Sequence, residues 1–440
     1  PRAPPREVMQ GSGGPAMERR DERNAGVAIV GRGVRCSIAD TVAALASALR
    51  EGRSGIRVRP DAGPREPRLA ARVGGFDLAA WLDTLQGPEP EIWGRARKVL
   101  KNAPHATRLG VTAAVEAWRE AGAPTGEPER TGLIVAGSNL NQDYIAENVL
   151  AVASGARRPN PKYALSYSDS NHVGCVSEIL GLCGPGSTVS AASASGNAAL
   201  FHAWHWVKSG VVDRCLVLGA STTLGAAELE GFSILGAASL AETPEAGCRP
   251  FDREANGFVW GEGAAAVVLE RADIAQARGA KIHGYLLGAS LLLDARHGPE
   301  PSADAEARAM RAALAAAGLS CEAIDYVNTH GTGSAAGDRA ECEALRSVFG
   351  ELAGRPWINA TKALTGHCLS AAGVIEVLAC LLQMDGGFVH GNPCLEQPID
   401  EQLRFVGKDA KLAALRTVLS NGFGFGGFNS SVVIGKEGIS

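Results

Sequence analysis

Apolar residues in this chain come in short runs, separated by small, polar or glycine-rich stretches, and the period changes from run to run. Val27-Ala28-Ile29-Val30-Gly31 reads as a buried strand. Val42, Leu45 and Leu49 fall on one face of a helix that Asp40 is placed to cap. Val111, Val115 and Trp118 line another helix, and a strand follows from Gly132 to Ser138. The β-branched run Ser187-Thr188-Val189 leads into small residues, then a helix-forming stretch to Gly210. Strands are predicted from Cys215 to Ser221 and in the apolar part of Gly261 to Glu270. A second alternating set follows. A helix starts near Ser302, with Ala305, Ala309, Ala312 and Ala313 at helical spacing. Strands run from Ile324 to Asn328 and from Pro356 to Ala360, and a small-residue helix from about Leu369 to Met384. Thr417–Ser420 and Ser430–Ile434 close the chain as a strand pair. Residues 1–25 read as a flexible tail with a candidate start at Met17, 52–90 as a surface excursion, and 139–183 as a lid or interface segment. Strands alternating with helices in both halves predict two layered α/β units, 26–273 and 274–440, with one topology used twice.

Composition narrows the class. The chain has 440 residues, 45% hydrophobic and 20% charged, enough for a large core. A net charge of −4 gives no argument for nucleic acid or an anionic membrane, and no apolar run reads as a membrane span. The N-terminus lacks the pattern of a signal peptide. Ten cysteines form no CxxC pair, and several lie in apolar segments. That pattern suits buried thiols in a reducing cytoplasm and argues against a disulfide framework or a structural zinc site.

Candidate chemistry sits at four junctions, each placing polar groups after an apolar strand. The first is Gly184 to Leu200, GPGSTVSAASASGNAAL, where small residues permit a tight turn that presents Ser193 at the start of a helix. The others are Val327 to Ser334 with His330, Ile358 to His367 with Lys362, and Ser420 to Asn429, SNGFGFGGFN. A lone histidine after a strand is most often structural, and a glycine–phenylalanine run is usually a turn. Together, two histidines, a lysine and flexible glycine turns are the equipment for stabilising charge on a carbonyl oxygen.

These residues resemble the condensing-enzyme, or β-ketoacyl synthase, branch of the thiolase fold. His330-Gly331-Thr332-Gly333 with Gly337-Asp338 is similar to its HGTGT…GD motif. Lys362…Gly366-His367 with Ala371-Ala372-Gly373 and Glu376 is similar to K…GH…AAG…E. Gly424 to Asn429 resembles GFGGTN, and Pro250-Phe251-Asp252 with Gly257 to Gly263 resembles PFD…GFV.GEG. The resemblance spans about residues 26–436 and implies two pseudo-repeated α/β halves in a five-layered αβαβα core. It also implies a homodimer and a substrate borne on the phosphopantetheine arm of an acyl carrier protein, with no bound cofactor or metal.

Two departures bear on activity. Ser193 stands in the elbow where the family has its nucleophilic cysteine, and no cysteine lies between 183 and 215. A helix terminus can lower a thiol's pKa from about 8.5, but a hydroxyl titrates far higher and needs a general base. Ala255-Asn256 replaces the usual Arg-Asp, at a loop contact or an ion site. Without an acyl-accepting thiol, the resemblance implies the other half-reaction, loss of CO2 from a malonyl thioester. His330 and His367 would then stabilise the enolate, Lys362 tune them with Glu376 in structural support, and Phe425 and Phe232 line or gate the pocket. The serine elbow resembles the stand-alone malonyl-carrier-protein decarboxylases of polyketide β-branching cassettes, which act before an HMG-synthase-like partner.

Other readings stay open at this point. They are an elongating synthase captured as a Cys-to-Ser variant, a serine acyltransferase, and a non-catalytic partner subunit that would more commonly lack the histidines. His202 and His205, at i, i+3, lack a third metal ligand, and His172 lines either the active site or a subunit interface.

Overall fold

The computed structural model describes residues 26–122 and 128–438, so the predicted tail 1–25 lies outside the described residues. Ten strands form the main sheet, and their order shows a repeat. In the first half, from the outer edge inward, they are Gly186–Val189, Thr131–Ala136, Arg214–Gly219, Gly263–Arg271 and Val27–Cys36. In the second half they are Trp357–Asn359, Tyr326–Asn328, Thr417–Gly424, Phe428–Gly435 and Gly284–Leu293. Numbered along the chain, each half reads third, second, fourth, fifth, first. Each has two parallel pairings followed by two antiparallel ones. The first strands of the halves meet antiparallel at Ala28–Tyr285 and Ile29–Gly284.

Period-2 alternation builds the layers. Ile134, Val217 and Val267 face a central core, while Leu133, Val135, Leu216 and Leu218 face an outer one. In the second half, Val418, Val432 and Ile434 join the same central core, and Leu419 and Val433 turn outward. Two helices fill the middle, Ser195–Lys208 and Ala372–Gly386, each following the third strand of its half. They pack on strands of both halves and on each other. A Cβ on Gly373 would lie 2.1 Å from Asn197 Oδ1 and 2.8 Å from Asn197 N, so only glycine lets these two helix starts approach so closely. His105–Glu120 covers the outer face of the first half, and Ala303–Ala316 with Ala335–Phe349 that of the second. The result is the five-layered αβαβα arrangement of the thiolase fold.

Several local expectations are corrected. Thr41, not Asp40, caps the first helix: its extended backbone lets Oγ1 accept from Ala44 N at 3.1 Å. Segment 52–90 is more than a surface excursion. It holds Arg57–Val58, Leu69–Ala71 and the helix Leu78–Gln86, with Ile56 and Leu69 buried, and pairs with Trp260–Gly261 in a small sheet. Segment 139–183, the lid or interface segment, contains the helices Gln142–Ala153, Tyr163–Ser166 and Ser170–Leu180, which leave that reading uncorrected. Leu369–Gly386 is long and apolar enough to cross a membrane, against the sequence reading, but most of it is buried as the core of this fold. All ten cysteines are free, and seven are buried.

Candidate active site

The four junctions converge on one cavity of about 310 Å³. Ser193, His330, His367 and Phe425 all line it, as does Phe232. At the elbow, Ala192 sits at φ 48°, a left-handed conformation that costs an alanine about 1–2 kcal/mol. Ser195 holds this turn: its hydroxyl accepts from Ala191 N at 2.9 Å and donates to Ala192 O at 2.6 Å. Ser193 follows at the start of the elbow helix, half-buried. The C-terminal loop lies directly against it. A Cβ on Gly424 would lie 2.5 Å from Ala191 O, which keeps the Phe425 loop tight on the elbow.

His367 reaches Ser193 from the second half, with Nε2 2.8 Å from Oγ. Its other nitrogen fixes the roles. Leu369 N–H donates to His367 Nδ1 at 3.3 Å, so Nδ1 is an acceptor and carries no proton. Burial, followed by the Lys362 cation, holds the imidazole well below the usual histidine value, so the ring is neutral. A neutral ring with a bare Nδ1 has its proton on Nε2, and that N–H donates to Ser193. The pair is therefore the reverse of a base activating a nucleophile. Leu369 has φ 48°, so a second strained residue aims the N–H that sets this tautomer.

His330 stands beside it, ring centroids 5.6 Å apart and nearly perpendicular. Burial, then Lys362 and His367, push it well below its ordinary value, and its Nδ1 has no hydrogen-bond partner. Lys362 is buried and donates to Glu376 at 2.5 Å, while burial pushes the Glu376 carboxyl up. Lys362 is thus committed to an ion pair and acts on both histidines through its charge. Phe232 packs edge-on against Phe258, which packs edge-on against His367, so Phe232 serves both core and cavity wall. Phe425 is 42% exposed on the cavity wall.

Two supports had no assigned role in the sequence reading. Glu341 accepts from His330 N and Gly331 N, both at 2.9 Å, and from Asn421 Nδ2 at 3.0 Å, tying the histidine loop to the C-terminal loop. Asp338 accepts from Gly333 N at 3.2 Å and Phe251 N at 2.7 Å, tying it to the PFD segment. Both lie on the buried face of Ala335–Phe349 with Ala344 and Leu345, a spacing legible in sequence. The β-ketoacyl synthase N-terminal domain model matches residues 24–275 and the C-terminal domain model residues 283–396.

The chain belongs to the β-ketoacyl synthase family.

Within it, the chain is 37% identical over 411 residues to the polyketide biosynthesis malonyl-ACP decarboxylase PksF of Bacillus subtilis, covering 93% of this chain and 96% of that one. It is 32% identical over 423 residues to 3-oxoacyl-[acyl-carrier-protein] synthase 2 of Coxiella burnetii, covering 93% and 98%. A β-ketoacyl synthase structure from Burkholderia phymatum superposes with a TM-score of 0.83 at 30% identity, covering 94% of this chain and all of that one. In this family member, Asn256 makes loop contacts: its Oδ1 accepts from Ser239 Oγ at 2.6 Å, and its Nδ2 donates to Ala246 O at 3.1 Å. His172, His202 and His205 lie away from the cluster. His202 and His205 pack edge-on against Phe201, and His172 is buried with neither ring nitrogen bonded, outside the cavity lining.

Proposed function

We propose that this enzyme decarboxylates a malonyl group carried on an acyl carrier protein, giving the acetyl form, in polyketide β-branching. The observation that carries the reading is the Ser193–His367 hydrogen bond, in which histidine donates and the family's thiol is missing. Acyl transfer onto Ser193 needs a base, and the nearest ring offers a donor instead.

Decarboxylation needs no nucleophile. As the carbon–carboxylate bond breaks, its electron pair moves toward the thioester, and charge gathers on the thioester oxygen. Neutral His330 and His367 can each supply one N–H to that oxygen, and the hydroxyl of Ser193 can supply another. One such donor is typically worth about 2.7–4 kcal/mol of barrier. Lys362 and Glu376 hold the electrostatic setting of the rings, and Phe232 and Phe425 exclude water from the developing charge. The decarboxylase PksF being 37% identical over nearly the whole chain favours this reading.

The reading extends to partners. The strand Gly186–Val189 ends the sheet, pairing on one side with Thr131–Ala136, which leaves an edge on which a second copy could extend the sheet in a cytoplasmic homodimer. An HMG-synthase-like enzyme would consume the acetyl product. Incubation with malonyl-carrier protein, followed by intact-mass measurement, should show conversion to the acetyl form. No CO2 loss under conditions where a control ketosynthase releases it overturns the proposal. Parallel runs with methylmalonyl-carrier protein define the substrate.

The 3-oxoacyl synthase relative supports a second reading, an elongating synthase with serine in place of its cysteine. Ser193→Cys separates the two. Robust condensation with long acyl primers favours elongation, and continued decarboxylation without condensation favours the first reading.

A further inference from the structure

The mechanism leaves a buried carboxyl in the cavity unused. Glu306 lies in the first turn of Ala303–Ala316 and is only 2% exposed, yet it lines the same cavity as Ser193, His330 and His367. Its Oε2 has no hydrogen-bond partner. An orphan buried carboxyl oxygen is costly unless it has work to do. The helix face offers no structural reason for an acid, because Glu306 shares it with Ala309, Met310 and Ala313 at i+3, i+4 and i+7.

Resting on the decarboxylase reading, we infer that Glu306 is the acid that protonates the enolate carbon after CO2 leaves. A condensing enzyme spends its enolate on an acyl-cysteine, and a decarboxylase must instead deliver a proton to carbon. The step balances. The bond from C2 to the carboxylate breaks, releasing CO2 and leaving its electron pair in the enolate. The enolate carbon then takes the Glu306 carboxyl proton, so a C–H bond forms and an O–H bond breaks. The resulting carboxylate regains a proton from water when product leaves. The N-terminal turn of its helix helps hold that transient negative charge.

The surroundings keep the acid loaded. Burial first, then Glu341, Asp338, Asp294 and Glu343, push the Glu306 carboxyl well above the usual carboxylate value. Glu341 and Asp338 act from the buried face of Ala335–Phe349, Glu343 from its exposed side, and Asp294 from just past Gly284–Leu293. All four are acidic. Glu341 accepts three N–H donors, which favour its anion, while burial pushes its own carboxyl up as well.

The test is steady-state decarboxylation of malonyl-carrier protein from pH 6 to 9 by wild type, Glu306→Gln and Glu306→Asp. Wild-type kcat should fall at alkaline pH as Glu306 loses its proton. Glu306→Gln, which keeps shape but carries no acid, should lose tenfold or more in kcat with KM within twofold, and its alkaline fall should disappear. Glu306→Asp should keep the fall at a shifted pH. Glu306→Gln activity within threefold of wild type overturns the inference, as does a lower kcat with a wild-type pH profile. A raised KM with unchanged kcat also overturns it, pointing to carboxylate binding instead. If Glu306→Gln unfolds at assay temperature, the Glu306→Asp limb decides: shifted supports the inference, unmoved overturns it. A wild type that releases no CO2 overturns the functional reading, and this inference with it.

Discussion

After its third strand, the first half of the molecule turns through Ala191, Ala192 and Ser193 into a central helix, and the second half turns through Lys362 and His367 into the other. The strand order and pairing senses on either side are the same. One connection gives a hydroxyl on a strained turn, and the other gives a buried cation and a neutral imidazole. The second strand of the second half adds His330, and its fourth strand leads to Phe425. The fold therefore fixes where groups meet and leaves open which groups they are. The histidines and the lysine stand in one half, and the other presents a serine at its elbow.

Mutations can break this division of labour, beginning with the largest effect. Lys362→Met should leave Glu376 buried without its cation, lowering stability by about 3–5 kcal/mol, read as a drop in the denaturation midpoint. His330→Ala or His367→Ala should raise the barrier to CO2 release by about 2.7–4 kcal/mol, read as a fall of roughly 10²–10³ in kcat. Gly373→Ala should push a methyl into Asn197 where the two central helices touch, costing about 1–3 kcal/mol of stability. Ser193→Ala should cost less than about tenfold in kcat, or 1.4 kcal/mol, because it leaves both imidazole donors in place and frees the His367 N–H that Ser193 accepts. A loss as large as that of the histidines would return the chemistry to the first half.

A pH profile sharpens the same comparison with the smallest effect. Both cavity histidines are held below the ordinary value of 6.5, so their neutral form persists as pH falls through it. Decarboxylation at pH 6 should stay within twofold of that at pH 7. An acid limb at 6.5 in kcat would show a histidine titrating as if exposed.

Much of this was legible in the chain, and for physical reasons. Continuous apolar runs such as Val27–Val30 mark strands buried on both faces. The four junctions were legible only as a set: each alone has a structural reading, and two histidines, a lysine and glycine turns after apolar runs together point to one site. Segment 139–183 was not, because its helices leave Leu150, Leu165 and Tyr167 exposed, so no clean amphipathic period appears. The His367 tautomer was also hidden, since it depends on a backbone N–H turned by the positive φ of Leu369. Glu306 was visible in principle: an acid on a face of alanines breaks the binary pattern.

The fold's closure has a consequence in time. Val27 pairs with Arg271, so the first strand must wait for roughly 240 further residues before its neighbour exists. At about 5–20 residues per second on a ribosome, that is roughly 12–50 s. Every residue of Val27–Cys36 is buried in the finished protein, so for that interval the apolar run Val27–Val30 and the unpaired Arg32 and Arg35 stand open. Synthesis of this protein should accordingly depend on chaperones that bind extended apolar segments, and slowing translation between the two strands should raise the aggregated fraction.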